Sequence, residues 1–166
     1  MSSGPTDKTT ASDLAIADAP ADAGARDVGP LAGMIGYALR RAQLAVFDEI
    51  IASFAELDLR PAQYSVLVLL QHSPGLKQSD VAAALGIQRA NFVVLFDGLE
   101  RRGLARRSPA PNDRRSYALF LTDAGAQLLA RANRLEAAFE ARLEAKLGPG
   151  GRAQLLDLLS RLVPRR

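Results

Sequence analysis

The sequence has 166 residues, enough for one domain with a hydrophobic core, and its hydrophobic and charged fractions of 48% and 23% are those of a globular protein. The absence of cysteine excludes disulfides, thiolate metal sites, cysteine catalysis and thiol redox sensing, and a single histidine, His72, excludes a multi-histidine metal site. No apolar run exceeds five residues and no secretory signal is visible, so we expect a soluble cytoplasmic protein without a metal or cofactor.

The net charge of +3 conceals an asymmetry along the chain. Residues 1–30 carry five aspartates against Lys8 and Arg26 and sum to −3, so the remainder carries +6. Between residues 101 and 115, Asp113 alone opposes a cluster of six arginines, Arg101, Arg102, Arg106, Arg107, Arg114 and Arg115. A pI near 9.7 with clustered arginine is typical of a polyanion binder, although a solvated basic face without a partner has the same composition.

A flexible tail and a long first helix are predicted for the N-terminal part. Residues 1–30 have too few large apolar side chains to offset the entropy of ordering, unless Leu14 and Ile16 dock on a partner subunit. From about residue 31 to 57, apolar residues recur at helical spacing, in the stripe Ile35, Leu39, Ala42, Val46 and Ile50. Tyr37, Leu44 and Phe47 widen this stripe, which favours packing against a second chain.

The rest of the sequence predicts three helices, then a hairpin, then two further helices. A helix begins at Pro61, is nearly continuously apolar over residues 64–70 and ends at Ser73-Pro74-Gly75. Two short helices follow, separated by Gly86-Ile87. The first spans about 78–85 with Val81, Ala82 and Leu85 inward, and the second spans about 89–102 with Phe92, Leu95, Phe96 and Leu99 inward. Residues 104–108 and 117–121 read as strands joined by a loop over 109–116. Thr122 caps a helix to about residue 147, and an amphipathic helix spans about 152–163.

Three short helices followed by a hairpin predict a winged helix-turn-helix, a mainly α fold with a small β-hairpin wing. Gln88, Arg89 and Asn91 begin the second helix of the motif outside its apolar stripe. Residues in that position reach base edges when the helix lies in the major groove, where arginine pairs with guanine and Asn or Gln with adenine. The alternative is that Gln88 or Asn91 only caps the helix.

The tip of the hairpin is the second predicted contact with nucleic acid. Arg114 and Arg115 stand on a narrow loop stiffened by Pro109 and Pro111, and an arginine so placed enters a minor groove, where negative potential is concentrated. Asp113 would be repelled by phosphate, so we expect it to orient a neighbouring arginine. An ordinary surface ion pair is the alternative.

The sequence resembles the MarR family of bacterial transcription regulators in Gln63–Leu70, Gly86-Ile87, Leu99-Glu-Arg-Arg-Gly-Leu104 and Asp113-Arg-Arg-Ser followed by Leu121-Thr122. The resemblance spans residues 31–163. It implies an intertwined helical homodimer, with dimerisation helices at 31–57 and 122–163 and a DNA-binding part at 61–121. It also implies a repressor that binds a pseudo-palindromic operator and is released by a small molecule.

The family's recognition positions correspond to Arg89 and Asn91, with Gln88 just ahead, and its wing positions to Asp113 and Arg115. The full set of expected DNA contacts is Lys77, Gln78, Ser79, Gln88, Arg89, Asn91, Arg106, Asp113, Arg114 and Arg115. Lys77, Ala90 and Asn91 replace residues that are often Ser or Thr in the family, so Lys77 is expected to exchange a helix cap for a phosphate contact, and the base preference at Asn91 stays open. Because the chain lacks cysteine, it responds to a ligand or to nothing.

The resemblance places the effector between the dimer base and the winged part, lined by the first, second and fifth helices. Aromatic acids and phenolics are the usual effectors, and the arginine excess leaves room for an acyl-coenzyme A thioester. The candidate residues are Tyr37, Arg40, Arg41, Phe47, Tyr64 and His72. In the alternative reading, Phe47 and Tyr64 belong to the core, and Arg40 and His72 to the surface.

Two other classes of function are alternatives to a ligand-responsive regulator. A winged helix also serves as a protein dock or an effector-free DNA binder, and the polar residues on both DNA-facing elements argue against the dock. An enzyme is not expected, because the sequence has no phosphate-binding glycine loop and no carboxylate pair at a pocket; Asp48, Glu49 and Glu56 read as solvated.

Overall fold

The computed structural model describes residues 28–110 and 113–163, and of residues 110 and 113–116 it describes the backbone. The predicted tail therefore lies outside the described residues up to residue 27. Two 3₁₀ turns, Gly29–Gly33 and Ala55–Leu57, flank the first helix. The elements in chain order are α1 (Ile35–Phe54), α2 (Pro61–His72), α3 (Gln78–Ala84), α4 (Arg89–Arg101), β1 (Ala105–Ala110), β2 (Asp113–Leu121), α5 (Asp123–Leu147) and α6 (Gly151–Leu162). The predicted class, mainly α with a β-hairpin, is confirmed.

Helices α2 and α5 begin where Pro61 and Thr122 predict them. At α2, Gln63 Oε1 accepts a hydrogen bond from the Arg60 backbone N–H at 3.0 Å. At α5, the Thr122 hydroxyl oxygen accepts from the Gly125 N–H at 3.0 Å, which confirms the predicted cap. The helix predicted over 31–57 is too long at both ends, because Met34 is extended and Asp58 takes a left-handed conformation with φ of 46°.

The described chain divides into two units at the middle of α1. The first unit ends at Ala45 and contains the turn Gly29–Gly33 and the first half of α1, where Met34, Ile35 and Leu39 are exposed. The second unit begins at Val46 and contains the remaining elements and the core.

The core of the second unit is formed by aromatic and aliphatic side chains from α1 to α5. Its fully inaccessible large members are Phe54, Val66, Leu67, Leu70, Val81, Phe92, Phe96, Leu99, Leu119 and Leu129. Of the predicted inward residues of α3 and α4, Val81, Ala82, Phe92, Phe96 and Leu99 are buried, and Leu85 and Leu95 are partly buried against this core. The apolar run in α2 is not buried throughout, because Val68 is 39% exposed. Consecutive helical residues are rotated by 100°, so a five-residue run covers the whole circumference.

The hairpin is longer than predicted, and its second strand also forms backbone hydrogen bonds with the segment that precedes α3. The register pairs Ala105 with Leu121 and Pro109 with Tyr117, and then shifts so that Ala110 pairs with Asp113. The predicted loop over 109–116 is therefore wrong, since main-chain pairing does not require the apolar alternation by which the strands were recognised. Pro109 fits because β1 is an edge strand, and a proline whose nitrogen faces the outer edge removes no ladder bond. On the other side of β2, Gly75 donates to the Leu119 carbonyl at 2.9 Å, and Leu119 donates to the Leu76 carbonyl at 3.0 Å.

Candidate nucleic-acid interface

Helices α3 and α4 are arranged as a helix-turn-helix. They are bent by 109° at the break over residues 85–88, within the range of about 90–120° for this motif. Gly86 takes a φ of +66° at the break, and the Ile87 N–H donates to the Ala82 carbonyl at 2.9 Å. Within residues 28–110 and 113–163, no single helix has both the length and the hydropathy of a membrane span.

An open cleft joins α3, α4 and β2 and has a volume of about 380 Å³. Four of the predicted DNA contacts, Lys77, Gln78, Ser79 and Arg89, line it together with Ala82, Phe92 and Tyr117. Lys77 occupies the N-cap position of α3, but its side chain makes no cap hydrogen bond. The structure therefore brings two cationic and two polar side chains to one concave surface, a chemistry that suits a phosphodiester backbone.

The start of α4 displays the residues predicted to read bases. Gln88 is the N-cap residue and makes no side-chain cap hydrogen bond, so capping is not its role. Arg89 and Asn91 are exposed, and Asn91 lies inside the helix rather than at its cap. These side chains lie at the solvent surface of the motif's second helix, where a base-reading helix would display them.

Arg106 and Arg107 are consecutive residues of β1 with different surroundings. Arg106 is exposed, with its guanidinium 4.7 Å from the centre of the Phe120 ring. Arg107 has only 18% of its side chain exposed and contacts Asp97 Oδ1 at 2.7 Å and Glu100 Oε2 at 2.5 Å. It also lies 4.6 Å from the centre of the Phe96 ring and donates to Gln78 Oε1 at 3.4 Å. Arg107 therefore joins the wing to α4 and α3.

Arg102 is also held within the chain. Its guanidinium donates to the Leu57 carbonyl at 3.0 Å and to the Asp58 carbonyl, and it lies 3.7 Å from the Asp58 carboxylate. This contact attaches the end of α4 to the turn between α1 and α2. Within residues 101–115 Asp113 is the one acidic residue, but Asp58, Asp97 and Glu100, which lie outside that segment in sequence, oppose two of its arginines in space.

Three predicted wing residues have a described backbone only. Asp113, Arg114 and Arg115 belong to strand β2 and not to a loop, and their side chains lie outside the described residues. The hairpin places the three residues next to the chain reversal at its tip. Whether Asp113 orients an arginine stays a prediction.

The predicted effector residues divide between the two units. In the first unit, Tyr37 is half-buried, and Arg40 and Arg41 are exposed. In the second unit, Phe47 is 48% exposed, and His72, the last residue of α2, is exposed.

Tyr64 has the most defined surroundings of the predicted effector residues. Its hydroxyl donates to Asn133 Oδ1 at 3.0 Å, and its ring centre lies 5.0 Å from that of Phe54. Burial, followed by the charges of Glu136 and Glu140, raises the pKa of the Tyr64 phenol above its usual value. Burial and Glu140 likewise raise the pKa of Glu136. The phenol of Tyr64 is therefore protonated at neutral pH.

Two helices expose apolar side chains. Along α1, Ile35, Leu39, Leu44, Phe47 and Ile51 are 40–71% exposed. In α6 no residue is buried, and Leu155, Leu156, Leu158 and Leu162 are 40–58% exposed. Apolar surface of this kind marks a protein–protein interface. Among the described residues, no group of three or more His, Asp or Glu is placed to hold a metal ion.

Comparison with known proteins agrees with this geometry. The MarR family model matches residues 57–116. A protein of Thauera aromatica named for transcriptional regulation of the hcr operon is 35% identical over 135 residues, 81% of each chain. The structure of the transcriptional repressor CouR bound to a 23-mer DNA duplex is 48% identical with a TM-score of 0.78, and the alignment covers 81% of this chain and 95% of CouR.

A second CouR structure, bound to p-coumaroyl-CoA, is 45% identical with a TM-score of 0.76 over the same shares of the two chains. The identity and coverage of these relatives exceed what a shared fold alone would produce. Both the helix-turn-helix and the surrounding helices take part in the match. The chain therefore belongs to the MarR family and is a DNA-binding transcriptional regulator, not an enzyme.

Proposed function

We propose that the chain represses transcription by binding a pseudo-palindromic operator as a homodimer, and that an aromatic acyl-coenzyme A thioester or its parent acid releases it. Three neighbouring features carry the proposal. They are the cleft lined by Lys77 and Arg89, the exposed start of α4, and the wing that Arg107 fixes to α4. CouR, which shares this fold and nearly half of the aligned residues, is a repressor bound to duplex DNA in its structure. The proposed site of action is the cytoplasm.

The dimer is supported by the exposed apolar residues of α1 and α6. Exposed residues such as Ile35, Ile51, Leu156 and Leu162 cost free energy in water and favour burial against a second copy. Two winged parts related by a two-fold axis meet successive major grooves when their recognition helices lie about 34–36 Å apart. An operator with two inverted half-sites follows from this symmetry.

The proposed ligand class rests on chemistry and on the second CouR structure, which holds p-coumaroyl-CoA. The Tyr64 hydroxyl already donates to Asn133, so it is available to accept a hydrogen bond from a phenol. Exposed Arg40 and Arg41 suit a carboxylate or a coenzyme A phosphate. A ligand releases DNA only by its differential affinity for the two states of the dimer, so it must favour a dimer whose helix spacing no longer matches DNA.

The test begins with an operator selected by the purified chain from a pool of random duplexes. Fluorescence anisotropy then measures binding while p-coumaroyl-CoA, p-coumaric acid or free coenzyme A is added. We expect release by the thioester or the acid and none by coenzyme A. If no duplex is selected in dilute salt, the proposed function is wrong. If a duplex is bound but no aromatic acid or thioester weakens it, the effector-free alternative is correct.

Single substitutions test which residues contact DNA and which contact the effector. Arg89→Ala is expected to relax base preference at one operator position by about 1–3 kcal/mol. Arg134→Ala, which removes an exposed arginine of α5, is the matched control and is expected to leave both affinity and sequence preference unchanged. Equal weakening on all sequences would make Arg89 a phosphate contact. Tyr64→Phe tests the effector site and is expected to weaken ligand response without changing DNA affinity.

A further inference from the structure

The outward face of α4 is apolar over its first two turns. Successive helical residues are rotated by 100°, so Phe92, Phe96 and Leu99, all fully buried, define one side of the helix. The opposite side carries Ala90 and Val94. Both are exposed, and Val94, with 71% of its surface accessible, equals Ile35 as the most exposed large apolar residue among those described.

Polar residues surround this apolar patch. Arg89 and Asn91 flank Ala90 along the helix. One turn further on, Val94 lines a shallow depression together with Asp97, Glu100 and Arg101. The patch therefore consists of the methyl groups of Ala90 and Val94, on the outward face of α4. The start of the same helix displays Arg89 and Asn91, the residues predicted to read bases.

Two arginines of the same chain, Arg107 and Arg101, lie beside the two carboxylates at the patch. Arg107 contacts Asp97 at 2.7 Å and Glu100 at 2.5 Å, on the side of α4 that packs against the wing. Without that guanidinium, Asp97 and Glu100 would repel the phosphates on either side of a major groove. Arg107 offsets one of the two negative charges, and Arg101, which lines the same depression as Val94, offsets the other, so the face around Val94 approaches DNA without a net negative charge.

We infer that Val94, together with Ala90, is a specificity-determining residue that reads thymine by packing against its 5-methyl group. In the major groove, the thymine methyl is the one apolar feature of the base edges, so hydrogen-bonding residues such as Arg89 and Asn91 do not recognise it. This inference rests on the proposed function, because it requires that α4 enter the major groove.

The experiment replaces each thymine of one operator half-site in turn by deoxyuridine, which removes only the methyl group. Binding is measured for the wild type, for Val94→Ala and Val94→Thr, and for Val68→Ala as the control. Val68 is 39% exposed on α2, which takes no part in the proposed DNA surface. All three variants alter exposed side chains, and circular dichroism and thermal melting establish that they fold.

For the wild type, deoxyuridine at one position is expected to weaken binding about three- to fivefold, the value for one lost buried methyl group. In Val94→Ala the same substitution is expected to have no effect, because the contact is already absent, while Val68→Ala keeps the full penalty. Val94→Thr, which preserves shape but carries a hydroxyl in place of one methyl group, is expected to bind the thymine operator less tightly than the wild type.

Two results would overturn the inference: a deoxyuridine penalty that survives unchanged in Val94→Ala, or a wild type that is insensitive to every thymine methyl. Either result leaves the proposed function intact, because the operator is still bound. Failure to select any duplex would instead contradict the proposed function itself, so the two failures are distinguishable.

Discussion

Substitution of Arg107 and Arg106 by methionine is expected to separate stability from DNA binding. The two residues are adjacent on β1, but Arg107 is held by Asp97, Glu100 and Phe96, and Arg106 is exposed. Methionine keeps the apolar stem of each side chain and removes its charge. The pair of variants therefore compares an internal and an external guanidinium on one strand.

The magnitude follows from the contacts. The carboxylates of Asp97 and Glu100 are 48% and 38% exposed, so each ion pair contributes about 0.5–1 kcal/mol rather than the value of a buried pair. Stacking on Phe96 adds about 0.5–1 kcal/mol. We expect Arg107→Met to lower the free energy of unfolding by about 2 kcal/mol, which corresponds to about 4–8 °C in Tm for a chain of this size. Arg106→Met is expected to lower it by about 0.5–1 kcal/mol at most, because its stacking on Phe120 is its one such contact and it has no ion pair comparable to those of Arg107.

Urea and thermal unfolding measure the stability of both variants, and fluorescence anisotropy at several salt concentrations measures DNA binding. Arg106→Met is expected to reduce the salt dependence of binding by about one unit of slope per protomer. If Arg107→Met unfolds like the wild type, or if Arg106→Met loses as much stability as Arg107→Met, the assignment of internal and external roles is refuted.

Three further predictions use other parts of the chain. Hydrogen bonds from Arg142 and Lys146 hold the pKa of Glu49 below its usual 4.5. These bonds therefore stabilise the folded state fully above pH 4.5, and their contribution is lost as the pH falls through the lowered pKa. In urea unfolding, Glu49→Gln should thus destabilise the protein at pH 7, with a difference that shrinks under acid. A Cβ on Gly125 would lie 1.9 Å from the Leu104 carbonyl oxygen, so Gly125→Ala should cost about 3 kcal/mol in the same assay, whereas Gly36→Ala, with open space around it, should be neutral or stabilising. Arg115→Ala should weaken binding to all duplexes alike and lower the salt slope by about one per protomer; an unchanged slope would contradict the wing assignment.

Much of the fold was predictable from local patterns. The spacing of Phe92, Phe96 and Leu99 placed α4 and its inward face, and Pro61 and Thr122 marked the starts of α2 and α5. These signals are local, because a helix is closed by bonds between residues four apart and its caps lie beside it in sequence. The extent of the wing was not predictable in this way, since strand pairing beyond Pro109 depends on the facing strand.

The candidate site likewise contains residues that the sequence identified and residues that it missed. Residue type and position in the helix-turn-helix identified Lys77, Gln78, Ser79 and Arg89, which the structure brings to one cleft. Sequence reasoning missed Tyr117 in that cleft and Val94 on α4, because neither side chain is polar enough to stand out from the core pattern. The exposure of Val94 at the position opposite Phe92 and Phe96 was a usable signal, since a helical wheel alone places it on the outward face.

The division of the arginines changes what the net charge implies for DNA binding. If all six arginines between 101 and 115 contacted phosphates, this segment would contribute about −5 per protomer to the salt slope, at about −0.9 for each contact. Arg102 and Arg107 are held by carbonyls and carboxylates of the same chain, so the expected contribution falls to about −3.5. A measured slope that requires all six would mean that these internal contacts open on DNA. Because Arg107 fixes the wing to α4, such an opening would also release the wing from the helix that it positions.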